Sequence, residues 1–217
     1  MIVVNGGANS AVTADDVERA LSTLAVHSSD VVVTSGETPD PCVLAAARHC
    51  RARGVTHVHN LSPARDHDWL DDLQPVLVLN RHEAETLAGT DHLPTAATTL
   101  AARFQDIVIT QGAEGVLHGH DGTLREIPAV PAGHVEDSTG AGDAFCGALV
   151  AEIALGSSVE DAARLAVHAG AHAVRQAGAP AEPMLRSDAV DAVTRAGGRP
   201  PTDTPIPHSP HRETRET

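Results

Sequence analysis

The sequence predicts an α/β fold of three layers, with a mostly parallel central sheet between helices. Short β-branched runs alternate with segments of helical period along most of the chain. The 217 residues are 41% apolar, enough for one domain with its own core. Aromatics make up only 1%, so that core is built from Val, Leu, Ile and Ala, which suits buried parallel strands under Ala-rich helices.

The elements follow in order. Thr13 caps a helix whose apolar positions Val17, Ala20, Leu21 and Leu24 recur at i, i+3, i+4 and i+7. Asp30 to Thr34 is a buried strand. Asp40-Pro41 opens a helix through about Arg53, stopped by Gly54. Val55 to Asn60 and Val76 to Leu79 are strands, the second followed by a short helix ending at Gly89. A helix from about Thr95 to Phe104 leads into strand Ile107 to Thr110. Gly115 to His120 and Thr123 to Ile127 flank Asp121-Gly122, a hairpin turn. Helices follow at about Ala141 to Leu155, Val159 to Gln176 and Ser187 to Arg195. Residues 1–199 read as one domain. From Pro200 to Thr217 the chain is almost devoid of apolar residues and reads as a disordered tail.

Composition narrows the function. A formal charge of −14 argues against a nucleic-acid partner, because phosphate backbones are bound by clustered cations. There is no lysine, which excludes a Walker A loop and a protein-kinase strand lysine. No Gly-x-Ser-x-Gly elbow occurs, His82-Glu83 lacks the second zincin histidine, and Gly140-x-Gly142 lacks the third glycine of a dinucleotide fingerprint. Three cysteines without CxxC spacing suit a reduced, cytoplasmic setting. No secretory leader and no membrane-length apolar run is read from the sequence.

The segment that carries chemistry is Asp137-Ser138-Thr139-Gly140-Ala141-Gly142-Asp143 and the small-residue helix behind it. Gly140, Ala141 and Gly142 stand where a helix begins. Small residues there let backbone N–H groups approach an anion, and the helix dipole favours negative charge. Asp143, in the first turn, is placed to accept the proton of a hydroxyl attacking a phosphoryl group. The competing reading is a plain turn and helix cap.

This segment resembles the second signature of the PfkB (ribokinase-like) sugar kinases. The order and spacing of further motifs fit that family from about Asn5 to about Pro183. The resemblance implies Asp143 as catalytic base and substrate contact, and the Gly140–Gly142 amides as anion hole. Asn80 and Glu83 match the family's Asn-x-x-Glu motif, implying a phosphate contact at Asn80 and a water-mediated Mg2+ contact at Glu83; an Asn cap with a dipole-complementing Glu is the competing reading. Thr110, Gln111, Gly112, Ala113, Glu114 and Gly115 resemble the nucleotide loop. Asp137, Thr139, Ala173, Gln176 and Gly178 fall where the family holds a monovalent cation, here K+. Glu37 resembles a sugar contact. Asn60 to Arg65 resembles an Asn-Pro-Ala-Pro-Ala-Arg stretch, with Leu61 and Ser62 departing from it.

The implied activity is ATP-dependent phosphorylation of an alcohol group on a sugar, ribose first, with ATP, Mg2+ and K+ as cofactors, and a homodimer is allowed. A nucleoside kinase of the same family and a catalytically silent nucleotide-binding remnant stand as alternatives. The resemblance begins partway into the family's fold, so the lid and most sugar contacts are expected to be missing, and weak or absent kinase activity is expected of this chain alone. His57-x-His59 and His118-x-His120 read as surface strand histidines rather than metal ligands. Cys146, near the start of its helix, reads as a packing residue, with a lowered thiol pKa as the competing reading.

Overall fold

The computed structural model describes residues 7–178 and 182–195. The proposed tail, 200–217, and the start of the family resemblance at Asn5 lie outside these residues.

Among the described residues six strands form one sheet: β1 (Val31–Ser35), β2 (Thr56–Asn60), β3 (Val76–Asn80), β4 (Asp106–Thr110), β5 (Val116–His120) and β6 (Thr123–Ile127). Their order across the sheet equals their order along the chain. β1 to β4 run parallel, and β5 and β6 close one side as an antiparallel hairpin. The mostly parallel α/β sheet expected from the sequence is therefore present.

Among the described residues eight α-helices accompany it: α1 (Ala14–Thr23), α2 (Asp40–Arg53), α3 (Trp69–Leu73), α4 (Arg81–Ala88), α5 (Leu93–Arg103), α6 (Ala141–Ala154), α7 (Val159–Ala173) and α8 (Arg186–Arg195). The strand period of two divides the core between two faces. Leu77, Leu79, Ile107 and Ile109 pack with Ala97, Leu100 and Phe104 of the α5 side. Val76, Val78, Val108 and Val116 pack with Phe145, Leu149, Ala162, Ala163 and Ala166 of α6 and α7. β3 is buried at all four of its valine and leucine positions because both faces are covered.

Local chemistry sets the boundaries. Gly54 and Gly89 end α2 and α4 in the left-handed conformation, as their sequence positions predict. α5 begins at Leu93 rather than Thr95, because Pro94 fits the first turn, where its missing N–H costs nothing. α7 ends at Ala173 rather than near Gln176. The next carbonyl, that of Val174, accepts the N–H groups of Glu136 and Asp137 at 2.8 and 3.3 Å, which turns the chain toward the loop before α6. The five-residue α3 and a 3-10 turn at Gly7–Ala11 are too short to leave a periodic signal in the sequence.

Candidate active site

The ends of the parallel strands gather the candidate residues. Ser35 pairs in register with Asn60, and Asn80 with Thr110, so the segments after β1 to β4 leave the same edge of the sheet. In open α/β sheets this carboxyl edge is where ligands bind. β6 returns the chain to that edge, because its last residue, Ile127, pairs with Val116, the neighbour of Thr110.

The start of α6 is open. Gly140 occupies the cap position at φ 77° and offers no side-chain cap. The Ala141 N–H donates to the Ser138 carbonyl at 3.2 Å, and the Ala144 N–H to the Gly140 carbonyl at 2.9 Å. Between them, the amides of Gly142 and Asp143 have no partner among the described residues. A Cβ added to Gly142 would meet nothing within 4 Å. Behind this turn Gly170 of α7 lies close to the Ala141 carbonyl, 3.5 Å from where a Cβ would stand. The result is a helix start with free donors at the positive end of its dipole. Asp143 is exposed, and no described side chain engages its carboxylate.

Asn80 and Glu83 form a complete capping box at α4. The Asn80 Oδ1 accepts the Glu83 N–H at 2.9 Å, and Glu83 Oε2 accepts the Asn80 N–H at 2.7 Å. The helix-capping role named from the sequence is thus present. It leaves the Asn80 side-chain NH2 and the second Glu83 oxygen without a described partner. Glu83 itself is buried.

After β4, Thr110 donates its hydroxyl to the Leu79 carbonyl at 3.3 Å, and Gln111 to Gly115 closes on itself through the Gln111 N–H to the Gly115 carbonyl at 2.8 Å. Gly112, Ala113 and Glu114 form a 3-10 turn in between. Gly115 is required by geometry: its φ is 100°, and a Cβ would stand 2.2 Å from the Ile127 carbonyl oxygen. Arg81 joins the two loops. Its guanidinium pairs with Glu114 and lies 3.5 Å from Gln111 Oε1. The sequence reading overlooked Arg81. Its signal was a cation in the first turn of a helix, where the dipole disfavours it.

The residues assigned to a monovalent cation lie in two segments that the fold ties together. Asp137 Oδ1 accepts the Thr139 N–H and hydroxyl at 2.9 and 2.8 Å, and Oδ2 accepts the Gly178 N–H at 3.1 Å. These bonds, the Thr139 N–H foremost, hold the Asp137 carboxyl below its ordinary pKa. The Gln176 N–H donates to the Ala173 carbonyl at 3.1 Å, and its side-chain amide to the Glu182 carbonyl at 2.9 Å. Glu37 follows β1, exposed, with its N–H bonded to the Ser35 hydroxyl at 3.2 Å. The cavity beside neighbouring Gly36 measures about 10 Å³, room for one water and not for a sugar. No described hydrogen bond or ion pair joins Asp143 to Glu37, Asn80, Glu83 or the 110–115 loop.

One reading of secondary residues is corrected and one stands. The strand histidines are not on the surface: His57, His59 and His118 are buried, and only His120 is exposed. The Thr34 hydroxyl lies 2.8 Å from His57 Nε2 and 2.9 Å from His59 Nδ1. Asp106 sits 3.3 Å from His118 Nε2 and 2.8 Å from His120 Nδ1, a carboxylate that only sheet pairing brings to them. Among the described residues no group of three such side chains is arranged to hold a metal ion. The Cys146 thiol is pushed up to about 11, by burial first and then by the charge of Asp143. The packing reading stands and a lowered thiol pKa does not. All three cysteines are buried and free. No described helix is long and apolar enough to cross a membrane.

With this geometry in hand, comparison with known proteins is specific. The sequence pattern of the pfkB family carbohydrate kinases matches residues 1–184. A ribokinase of Lactococcus lactis is 34% identical over 156 residues, covering 71% of this chain and 50% of that protein. A cytidine kinase of Thermococcus kodakarensis is 40% identical over 91 residues, covering 40% of this chain and 32% of that protein. The crystal structure of ribokinase from Thermotoga maritima superposes with a TM-score of 0.74 at 22% identity, covering 90% of this chain and 65% of that one. The fold is thus shared with that enzyme, while this chain spans about half the length of the curated ribokinase it matches.

Proposed function

Because the chain belongs to the PfkB family of carbohydrate kinases, we propose that it binds ATP at the carboxyl edge of its sheet and transfers the terminal phosphoryl group to an alcohol of a sugar. Ribose is the first candidate, supported by the ribokinase relative. The observation that carries the reading is the open start of α6, where two unpartnered amides adjoin an unengaged carboxylate.

Each residue then has a part. Asp143 accepts the proton of the attacking hydroxyl as that oxygen bonds to phosphorus. The bond from phosphorus to the bridging oxygen breaks, and ADP leaves with that electron pair. The amides of Gly142 and Asp143, with Gly140 and Ala141 shaping the turn, take up the charge on the phosphoryl oxygens. Asn80 offers its free NH2 to the phosphates, and Thr110 to Gly115 receive the nucleotide. Glu83 keeps one oxygen free, which fits a water-mediated hold on Mg2+; that ion neutralises phosphate charge when bound. Asp137, Thr139, Ala173, Gln176 and Gly178 fit a K+ bound mainly through carbonyls. Glu37 contacts the sugar. Three free, buried cysteines suit a cytoplasmic setting.

A nucleoside acceptor is the second reading, favoured by the cytidine kinase relative. The deciding experiment measures ADP release with ATP, Mg2+ and K+ across ribose, fructose, adenosine and cytidine, with Asp143→Asn beside it. Sugar-dependent turnover lost in Asp143→Asn supports the proposal, and cytidine-dependent turnover supports the second reading. A folded chain that binds ATP without turnover is a silent nucleotide-binding protein, and one that binds no ATP refutes the nucleotide site.

A further inference from the structure

Arg81 opens α4, where the helix dipole opposes a positive charge, and nothing in the fold requires it there. Asn80 and Glu83 already complete the cap of that helix. The side chains of Arg81 and Glu114 are 42% and 67% exposed, so the pair contributes no core contact. What the pair does is span two strand ends. Arg81 follows β3 and Glu114 follows β4, strands in register at Asn80 and Thr110. Backbone bonds close the turn on itself, the Gln111 N–H to the Gly115 carbonyl among them, but none of them ties it to α4. Gly112 and Gly115 bring no side chain, and the Arg81 guanidinium makes the only side-chain bonds to residues 111–115 among the described residues.

The geometry points to Arg81 as a positioning residue for the nucleotide: through Glu114 and Gln111 it fixes the 111–115 loop against the start of α4 in the conformation that receives ATP. The inference rests on reading Thr110 to Gly115 as the nucleotide loop. An exposed pair acts modestly, so its removal weakens binding by about two- to fivefold, and salt erodes the effect.

The test titrates MgATP calorimetrically into wild type, Arg81→Glu, Glu114→Arg and the double charge swap at low ionic strength. Amide exchange of residues 111–115 is followed in the same proteins without nucleotide, and the urea midpoint serves as a check on folding. Each single variant is expected to speed loop exchange and weaken MgATP while the midpoint stays in place. The double swap, which restores the pair with reversed sign, recovers most of both losses. Single variants that bind MgATP like wild type overturn the positioning role alone, as does a double swap no better than either single. A wild-type chain that binds no MgATP overturns the nucleotide-loop reading, and this inference with it.

Discussion

The carboxylate of Glu152 on α6, 1% exposed, is gripped by the guanidinium of Arg186 on α8, whose NH2 donates to it at 3.1 Å while Nε donates to the other oxygen. A buried carboxylate stripped of its cation is costly, because its desolvation is no longer offset. Arg186→Met should therefore cost about 3 kcal/mol in urea unfolding. Adding Glu152→Gln should return a good part of it. A loss near zero in the single variant would mean that water reaches Glu152.

The same glycine-to-alanine change should act differently at two places. At Gly115 the new methyl meets the Ile127 carbonyl at 2.2 Å and a left-handed backbone, so Gly115→Ala should destabilise by at least about 2 kcal/mol. At Gly142 the methyl enters open space, so the unfolding midpoint should hold while ATP turnover falls. A pair of urea titrations with matched activity assays separates the two. Equal destabilisation would contradict the assignment of Gly142 to ligand rather than fold.

Asp143→Asn should leave stability within about 0.5 kcal/mol, since no described side chain depends on its carboxylate. Turnover, where measured with an acceptor, should drop by at least about 100-fold. A variant that keeps full turnover would remove Asp143 from the chemistry.

Stability should fall in mild acid. Burial pushes His57 down to about 3 and His59 to about 4, from 6.5 in an unfolded chain. Above 6.5 both states carry neutral rings and the stability is whole. As pH falls below 6.5 the unfolded chain binds protons that the fold refuses, and stability drains away toward the folded values. Burial lowers His168 in the same direction. His120, raised by its hydrogen bond to Asp106, pulls the opposite way, but it is exposed and counts for less. Between about pH 7.5 and about pH 5.5 the unfolding free energy should drop by about 1 kcal/mol for each of the two buried rings. His57→Gln should reduce that slope by about half. A flat profile would mean that the rings protonate in place.

Much of the scaffold was legible in the sequence because its signals are local. Thr13, Gly54, Gly89 and the Asp121-Gly122 turn each act on their own few residues, and the valine and leucine runs mark buried strands wherever they pair. What escaped depends on neighbours far along the chain. Histidine on a strand reads as exposed until Thr34 or Asp106 arrives beside it from the next strand. Arg81 reads as an ordinary surface charge until Glu114 is brought to it across the sheet. The end of α7 is hidden for the same reason, since the Val174 carbonyl just beyond it is claimed by Glu136 and Asp137.

The agreement of strand order with chain order bears on how this molecule is made. Among the described strands, each one after β1 can dock on the one synthesised just before it, so none of these has to be inserted between two that have already paired. On a ribosome the sheet can grow by accretion, from β1 outward to the hairpin. One face is covered as it forms, by the helices that connect the parallel strands. The other, with Val58, Val76, Val78 and Val108, stays bare until α6 and α7 emerge. For that interval the nascent chain displays a valine-rich surface, the kind of surface that chaperones bind, and the same late helix that shelters it brings Gly140 and Asp143.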